Sequence, residues 1–393
     1  MTTVAAPTLL DAISETAAVV REQADESERV ARHTEKVVAA MKANGCFKGL
    51  LPKELGGFEV DAVGWFEAVE AAARVEGSFG WTMFINGSSG LGGQTRTEEE
   101  AEAFAGDADA VGAGAVFPFG KATVTEGGYI ANGRWTYASG VPFAKTVFGF
   151  AQVYDGETPR MMMPGMPAMA ILTVPVEEVE ILPTWDVSGL SATGSNDFTM
   201  TDVFVPQANG AVIGVPAPKN RYYAGPLYNL PFMTLFGLPI GGVALGIAQH
   251  AIDAVMELAA RKTPAGSAVP LRERPLFHMQ LSEAEALVNS ARAWLHQLIG
   301  EQFQAASEGR AVDLAQRNQA QLAASNAVRA SARAVELMYL AGGGTANYRS
   351  SPLQRCMRDM HAVTQHAITS PGTWEACGAI SAGLPPQNPF ILL

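Results

Sequence analysis

The sequence of 393 residues predicts an α+β protein with three consecutive domains. These are an N-terminal helical domain over residues 1–110, a central antiparallel β-barrel over 111–215 and a C-terminal four-helix bundle over 216–393. Three observations predict this order. Apolar residues first recur at helical spacing, then short β-rich runs follow one another at intervals of roughly ten residues, and finally long amphipathic helical patterns fill the rest of the chain.

The N-terminal domain is predicted from two amphipathic helices. The first ends at Asn44-Gly45, a common signal for a helix C-terminus. Its apolar face comprises Val30, Val37, Val38 and Met41. After the loop 51–57, the second helix runs through Trp65, Val69, Ala72 and Val75.

The β domain is predicted from six short runs separated by Gly, Pro and Asp. They cover residues 122–124, 129–131, 146–153, 170–174, 179–182 and 198–205. Beyond them, helical spacing returns in four long segments, at 240–255, about 280–304, about 313–340 and 353–369. Two of these helices are rich in alanine and can pack closely, so an antiparallel bundle is expected.

Charge and cysteine content exclude several classes of protein. The formal net charge is -12, from 39 acidic and 27 basic residues, so no basic surface for nucleic acid or an anionic membrane is expected. Cys46, Cys356 and Cys377 lie far apart, and neither a disulfide framework nor a metal site is expected from them. No signal peptide or membrane-spanning segment is evident, so a cytoplasmic protein is expected.

Four motifs, in this order along the chain, resemble those of the acyl-CoA dehydrogenase superfamily. They are Leu-Pro-Lys-Glu-Leu-Gly-Gly at 51–57, the segment 127–140 ending in Trp-Thr-Tyr-Ala-Ser-Gly, the segment 189–197 leading into Asp-Val-Phe-Val-Pro at 202–206, and the segment 351–359 ending in Arg-Asp. The resemblance covers nearly the whole chain. It implies the three-part fold, a flavin cofactor and assembly through the bundle as a homotetramer.

Two chemistries occur in this superfamily, and the residue that acts as base distinguishes them. The dehydrogenases remove a proton from an acyl-CoA thioester with a Glu at one of two positions. In this chain those positions are Ala367 and, by ungapped matching on Gly246, Phe236. An FAD-dependent acyl-CoA dehydrogenase is therefore the less favoured alternative, and a non-catalytic helical scaffold that has kept the fold is a third.

The pair Arg358-Asp359 followed by His366 is similar to the flavin-dependent monooxygenases of the two-component type. The resemblance implies an oxygenase component that receives reduced FMN or FAD from a separate flavin reductase and reacts it with O2. A C4a-hydroperoxide of the flavin would then hydroxylate or epoxidise a small aromatic or heteroaromatic substrate. Such an intermediate requires a dry site and a hydrogen-bond donor near the flavin ring.

His366 and Ser139 are the expected catalytic residues. His366 can hold or take a proton because the pKa of histidine lies near neutrality. Without the resemblance, a His on an alanine-rich helix is more often structural. His361, five residues earlier, is the second candidate. Ser139 is expected beside the flavin ring, where its hydroxyl can donate; the alternative is that it satisfies the turn before Gly140.

The resemblance implies a flavin site lined by two β-domain motifs and by the bundle. Its expected residues are Trp135, Tyr137, Ala138, Ser139, Thr193, Gly194, Ser195, Arg261, Gly343 and Gly344. Trp135 and Tyr137 can instead fill the barrel. Arg261 either holds a flavin pyrophosphate or faces the C-terminal dipole of its helix. The glycine pair resembles the segment through which a neighbouring subunit approaches the cofactor.

The substrate site is expected to include Trp81, Asn86, Ser89 and Phe236. Members of the family that hydroxylate phenols place a His at the position of Ser89. A serine hydroxyl cannot deprotonate a phenol near neutral pH, whereas Asn86 can bind a polar N–H or carbonyl group. A neutral ring such as indole or an indole derivative is therefore favoured over phenols.

Overall fold

The computed structural model describes residues 7–163, 165–215, 219–386 and 391, and it has the three predicted parts in the predicted order. The helices of the N-terminal part are α1 (Leu9–Arg29), α2 (Glu35–Ala43), α3 (Ala62–Val75), α4 (Gly77–Gly87) and α5 (Glu98–Gly106).

The first predicted helical segment is two helices rather than one. Val30 is the C-cap of α1, and Ala31 then takes a left-handed conformation with a φ of 53°. The side chain of Thr34 caps α2 by accepting a hydrogen bond from the N–H of Val37. This cap gives a partner to one of the free backbone N–H groups at the start of α2, so a new helix begins after the break. The predicted end is confirmed, because Asn44 is the C-cap of α2.

Helix α4 was not predicted. A single residue, Glu76, separates it from α3, and the Glu76 side chain caps it by accepting the N–H of Phe79 at 2.8 Å. Every residue of α4 except Ile85 is buried. A helix buried on all sides lacks the amphipathic spacing by which surface helices are identified, so its sequence gave no periodic signal.

The β domain contains ten strands among the described residues. They are β1 (Gly112–Thr125), β2 (Gly128–Trp135), β3 (Thr146–Asp155), β4 (Thr158–Pro159), β5 (Met161–Met163), β6 (Met166–Pro167), β7 (Met169–Pro175), β8 (Glu180–Leu182), β9 (Asp197–Pro206) and β10 (Gly210–Val212). The main sheet has the order β10-β7-β3-β1-β2-β9-β8, with β4 beside β3. A separate hairpin joins β5 and β6.

The sheet is mixed, so the prediction of a purely antiparallel domain is wrong in one strand pair. β1 and β3 are parallel, with Gly112 opposite Thr146. The cause is the loop 136–145, which leads the chain from the end of β2 past β1 to the far side of β1. β3 therefore runs antiparallel to the direction of β2 and parallel to β1. This crossing loop carries Ser139.

Trp135 fills the interior of the sheet domain. Its ring stacks on Phe198 at a centroid distance of 5.1 Å, and its Nε1 donates to the carbonyl oxygen of Phe150 at 2.9 Å. Gly120 and Gly149 leave room for the indole, because a Cβ at either position would lie within 2.5 Å of it. The structure therefore gives Trp135 the core position that the sequence left as an alternative to flavin contact.

The C-terminal part contains α6 (Phe232–Phe236), α7 (Pro239–Arg261), α8 (Pro275–Ser307), α9 (Leu314–Gly342), α10 (Pro352–Thr364) and α11 (Pro371–Ser381). Helices α7 to α10 correspond to the four predicted segments. The last is shorter than predicted, because Gln365 ends α10 and a short 3-10 turn follows at Ala367–Thr369. The segment Phe232–Arg261 is long and apolar enough to cross a membrane, but 83% of its most apolar stretch is buried inside the protein, as expected of a core helix.

Candidate active site

Ser139 lies in the crossing loop and is fixed from α4. Asn86 of α4 donates through Nδ2 to the carbonyl oxygens of Ser139, at 3.0 Å, and of Gly112, at 2.9 Å. Gly140 follows with a φ of 78°, and a Cβ there would lie 2.4 Å from the Asn86 amide. The close approach of Asn86 to this turn therefore requires glycine.

A chain of buried hydroxyl groups starts at Ser139. Trp81 Nε1 donates to Ser139 Oγ at 3.0 Å, and Ser139 Oγ lies 2.7 Å from Ser195 Oγ. Ser195 Oγ lies 2.7 Å from Thr193 Oγ1, which donates to the carbonyl oxygen of Leu190 at 2.8 Å. Three segments distant in sequence thus meet at one hydroxyl.

Asp359 of α10 holds residues 189–196, which precede β9, supply Thr193 and Ser195, and are called the Leu190 loop below. Its Oδ1 accepts the N–H of Leu190 at 2.6 Å. Its Oδ2 lies against Gly77 at the start of α4, where a Cβ would be 2.8 Å away. Burial and the neighbouring Glu76 carboxylate raise the pKa of Asp359 to about 8. Asp359 therefore links α10, α4 and the Leu190 loop in one buried contact.

Arginines and acids surround this contact on α10 and α1. Arg355 pairs with Glu28 at 2.9 Å and also with Asp25. Arg358 pairs with Glu28 at 2.6 Å and donates to the carbonyl oxygen of Ser188, next to the Leu190 loop. These pairs fix α10 against α1 and hold the loop from its outer side.

His366 lies beyond α10, at the N-cap of the 3-10 turn, and not in the predicted helix. Its Nδ1 accepts the N–H of Ile368 at 3.3 Å, and its ring meets the Trp81 ring at a centroid distance of 5.5 Å. Burial lowers the pKa of His366 to about 4, so the expectation of a pKa near neutrality is wrong. His361 is exposed on α10.

A row of aromatic rings continues from Trp81. Phe84 meets Trp81 at 6.1 Å, Phe236 meets Phe84 at 5.9 Å, and Phe232 stacks on Phe236 at 4.8 Å, all between ring centroids. We call Trp81, Phe84, Phe236 and Phe232 the aromatic row. Phe84 and Phe232 were not predicted, because α4 gave no periodic signal and α6 is a single short turn.

Ser89 does not lie on the aromatic row. Its Oγ donates to the carbonyl oxygen of Asn86 at 2.6 Å, and its Cβ faces Gly112 of β1. It lines a separate cleft together with Lys42, Lys48 and Phe104. Asn86 is fully buried and its Oδ1 has no partner among the described residues. Of the predicted substrate residues, Trp81 and Phe236 belong to the aromatic row. Asn86 and Ser89 do not, and they contact the backbone of the crossing loop and β1 instead.

Three further predicted flavin residues flank the hydroxyl chain. Tyr137 has a φ of 64° and a ring that is 70% exposed, edge-on to Trp185 at 6.0 Å. Ala138 is buried, and its N–H donates to the carbonyl oxygen of Asn196 at 3.1 Å. Gly194, with a φ of 57°, turns the backbone between Thr193 and Ser195. Trp185, which was not predicted, lies in a loop without periodic spacing.

Arg261, Gly343 and Gly344 lie at the end of the bundle. Arg261 is exposed at the C-terminus of α7, and Gly343, with a φ of 55°, begins a 3-10 turn after α9. Lys262 fixes this turn, because its Nζ donates to the carbonyl oxygen of Gly342 at 2.6 Å and to Thr345 Oγ1 at 2.8 Å. Among the residues that the structure describes, no hydrogen bond or ring contact joins Arg261, Gly343 or Gly344 to Ser139.

The described residues contain no cluster of three or more His, Cys, Asp or Glu side chains that could hold a metal ion. Cys46, Cys356 and Cys377 are free and buried. Burial raises the pKa of the Cys46 and Cys377 thiols to about 11. The site is therefore described by its hydroxyl chain and by the His366 ring, whose Nδ1 is already engaged by the N–H of Ile368.

Comparison with known proteins agrees with this arrangement. The acyl-CoA dehydrogenase N-terminal domain model matches residues 8–97, and the C-terminal domain model matches 238–371. Indole-3-acetate monooxygenase of Pseudomonas putida is 30% identical over 361 residues, which cover 92% of this chain and 90% of that protein. The flavin-dependent monooxygenase oxygenase subunit HsaA of Rhodococcus jostii (strain RHA1) is 29% identical over 372 residues, 92% of this chain and 94% of that protein. The crystal structure of 3-HSA hydroxylase from Rhodococcus sp. RHA1 superposes with a TM-score of 0.88 at 26% identity, over 98% of this chain and 99% of that chain.

Proposed function

The chain belongs to the acyl-CoA dehydrogenase superfamily and, within it, to the flavin-dependent monooxygenases, and from this premise we propose that it is the oxygenase component of a two-component system. Reduced FMN or FAD comes from a separate flavin reductase and, when bound, activates O2. The substrate is a small aromatic or heteroaromatic compound, an indole or indole derivative in preference to a phenol. The observation that carries the proposal is the meeting of Trp81, Ser139 and His366.

The residues around Ser139 fit a flavin. Tyr137 presents an exposed aromatic ring two residues before the buried Ser139 hydroxyl. Phe117 and Phe119 lie nearby, 42% and 47% exposed, because Thr136 donates through N and Oγ1 to the carbonyl oxygen of Phe117. Aromatic faces beside a hydroxyl group suit a planar ring system with polar atoms along one edge. Tyr137 and Ser139 are the residues that would hold such a ring.

No carboxylate occupies either position of the dehydrogenase base. Ala367 lies in the 3-10 turn after His366, and Phe236 packs within the aromatic row. The buried acids Glu76 and Asp359 are engaged by the N–H groups of Phe79 and Leu190. A dehydrogenase needs a carboxylate that can reach its substrate, so these contacts favour the monooxygenase.

His366 acts in this proposal as a neutral hydrogen-bond donor. Its pKa of about 4 keeps the ring uncharged at neutral pH. Because Nδ1 accepts the N–H of Ile368, the ring proton is on Nε2. An Nε2–H group beside Trp81 can orient a polar atom of the substrate. It can also donate to an oxygen atom on which negative charge develops.

The aromatic row supports a flat, uncharged substrate. Its rings succeed one another at 4.8 to 6.1 Å between centroids, so a planar molecule placed along them gains stacking and edge contacts. Ionisable side chains are absent from the row itself. A phenolate would find no cationic side chain within the row, which favours the neutral indole over phenol.

We further propose assembly as a homotetramer through the bundle. Large apolar side chains are exposed on or beside three of its helices. They are Met256, Val269, Leu276, Met279, Leu340 and Tyr348. Burial against further copies would remove this apolar surface from water. Sedimentation velocity is the test: the wild type is expected to be tetrameric, Met279→Glu smaller, and Glu285→Gln on the same helix unchanged.

The function is tested by mixing the protein and anaerobically reduced FMN or FAD with isotopically labelled O2 and either indole or phenol. We expect labelled oxygen in a product of indole and much less in any product of phenol. Release of all the oxygen as hydrogen peroxide with every aromatic substrate would reject the oxygenase. The next assay would then be acyl-CoA esters with an artificial electron acceptor. Failure to bind flavin in any form would instead favour the non-catalytic scaffold.

A further inference from the structure

The hydroxyl chain has a direction. The Trp81 indole N–H can only donate, and the Leu190 carbonyl oxygen can only accept. Thr193 donates to Leu190, so Ser195 donates to Thr193 and Ser139 donates to Ser195. With the bonds in this direction, each of the three hydroxyl hydrogens is donated to the next group of the hydroxyl chain or to Leu190, and none is left for a ligand.

This direction decides what Ser139 can offer to a ligand. Its hydrogen goes to Ser195, and one of its two lone pairs accepts the N–H of Trp81. Ser139 Oγ therefore has one lone pair left to accept a hydrogen bond from a ligand, and it has no hydrogen left to donate. In the opposite order, Thr193 would donate to Ser195 and Ser195 to Ser139, and the Ser139 hydrogen would be free for a ligand.

The two orders differ by one buried hydrogen bond. Reversal takes the Thr193 hydroxyl away from the Leu190 carbonyl oxygen, which then keeps only the N–H of Thr193 at 3.1 Å. Thr193, Ser195 and Ser139 are all at most 4% exposed, so water cannot readily replace the lost bond. Asp359 also holds Leu190, by accepting the N–H of this residue at 2.6 Å. The order that presents an acceptor is therefore preferred.

One ring nitrogen of a flavin changes its hydrogen bonding with redox state. It carries an N–H and donates when the flavin is reduced, and it has no hydrogen and accepts when the flavin is oxidised. We propose that Thr193 sets the redox state of flavin that the site prefers, acting through Ser195 and Ser139. The inference rests on the proposed function, in which Ser139 faces the flavin ring. Reduced flavin can donate to the lone pair that Ser139 already presents. Oxidised flavin needs a donor, so the hydrogen bonds of the hydroxyl chain would have to reverse their direction. Thr193 is thus a positioning residue.

The test is to measure dissociation constants of oxidised and anaerobically reduced FMN for the wild type, Thr193→Val and Thr193→Ser. The wild type is expected to bind reduced FMN more tightly. Thr193→Val removes the acceptor of the Ser195 hydrogen, so Ser195 can donate to Ser139 and free the Ser139 hydrogen for a ligand. The preference for reduced FMN should therefore fall by about tenfold. The two-electron potential of bound flavin should then become more negative by about 30 mV. Thr193→Ser keeps the hydroxyl and should retain the preference.

Thr16→Val is the matched control, because Thr16 is also buried and donates to a backbone carbonyl oxygen, that of Ala12, within α1. If Thr193→Val does not fold, Ser195→Ala cuts the chain at its middle and should cause the same loss of preference. An unchanged preference in the folded variant, or none in the wild type, would overturn the inference. Binding of neither redox state by the wild type would reject the proposed function instead.

Discussion

The two ends of the candidate site are held in different ways. At one end, Ser139 accepts hydrogen bonds from Trp81 and Asn86 of α4 and donates one to Ser195 of the Leu190 loop. At the other end, the His366 side chain accepts one hydrogen bond among the described residues, from the backbone N–H of Ile368, and its ring contacts Trp81. A group fixed by several bonds loses little freedom when a ligand binds, whereas a group held mainly by packing can adjust.

The difference follows from the elements that carry the two residues. Ser139 lies where the crossing loop, α4 and the Leu190 loop converge, and Asp359 ties the last two together. His366 lies in a short turn between α10 and α11. A polar, rigid end suits a cofactor of constant shape, and an apolar end held by ring contacts suits substrates that vary.

The largest effect should come from breaking the rigid end with Ser139→Ala. The variant leaves the Trp81 N–H and Ser195 without their partner and removes the hydroxyl that we propose faces the flavin. We expect product formed per reduced flavin to fall about a hundredfold, with hydrogen peroxide rising to match. Ser290→Ala on the surface of α8, where the hydroxyl bonds its own helix, is the control. Equal product yield in the variant and the wild type would contradict the assigned role.

A smaller loss is expected at the adaptable end. His366→Ala should lower kcat about ten- to hundredfold by removing the Nε2–H donor. Because the pKa of His366 is about 4, the rate should show no histidine step between about pH 6 and about pH 8. His361→Ala, at an exposed position, should leave kcat unchanged. A step near pH 6.5 that disappears in His366→Ala would contradict the lowered pKa.

The low pKa of His366 also affects stability. Protons bind more readily to this histidine in the unfolded chain than in the folded protein. The contribution of neutral His366 is therefore complete above about pH 6.5 and is lost as the pH falls towards 4. His366→Ala should remove this part of the acid dependence in urea unfolding measured across that window.

Sequence reasoning found the residues of the rigid end but not the bonds between them. Ser139, Thr193 and Ser195 lie in motifs that can be recognised locally. The bond from Leu190 to Asp359 spans 169 positions, and no local pattern indicates it. The lowered pKa of His366 arises from burial by the surrounding fold, which composition and spacing do not report. The parallel pair of β1 and β3 was missed for a similar reason, since it depends on the path of the crossing loop.

The buried contact of Asp359 with α4 and the Leu190 loop should respond to pH. The pKa of Asp359 is raised from 3.8 to about 8, so the folded protein holds a proton there that the unfolded chain releases. Stability from this proton is present at acidic pH and is lost as the pH rises towards 8. In Asp359→Asn, the amide oxygen can still accept the N–H of Leu190, and the side chain cannot become negatively charged beside Glu76. Relative to the wild type, its unfolding free energy should rise by on the order of 1 kcal/mol between about pH 5 and about pH 8.

Asp155→Asn is the control for Asp359→Asn. Asp155 pairs with Arg160 on the exposed side of the β domain, and the Arg160 guanidinium lowers its pKa. Its replacement should not produce a gain in stability towards alkaline pH. Were Asp359→Asn to parallel the wild type at every pH, the raised pKa of Asp359 would be rejected.

The smallest effect should come from shortening the aromatic row. Phe236→Leu keeps an apolar side chain but removes the ring between Phe84 and Phe232. We expect KM for indole to rise about threefold, with kcat and product per reduced flavin unchanged, because the rigid end is intact. Leu287→Ala, on the bundle helix α8, is a comparison for a general loss of packing. A rise in the dissociation constant for flavin instead of KM for indole would assign the aromatic row to the cofactor, and the division of the site into a rigid cofactor end and an adaptable substrate end would then be wrong.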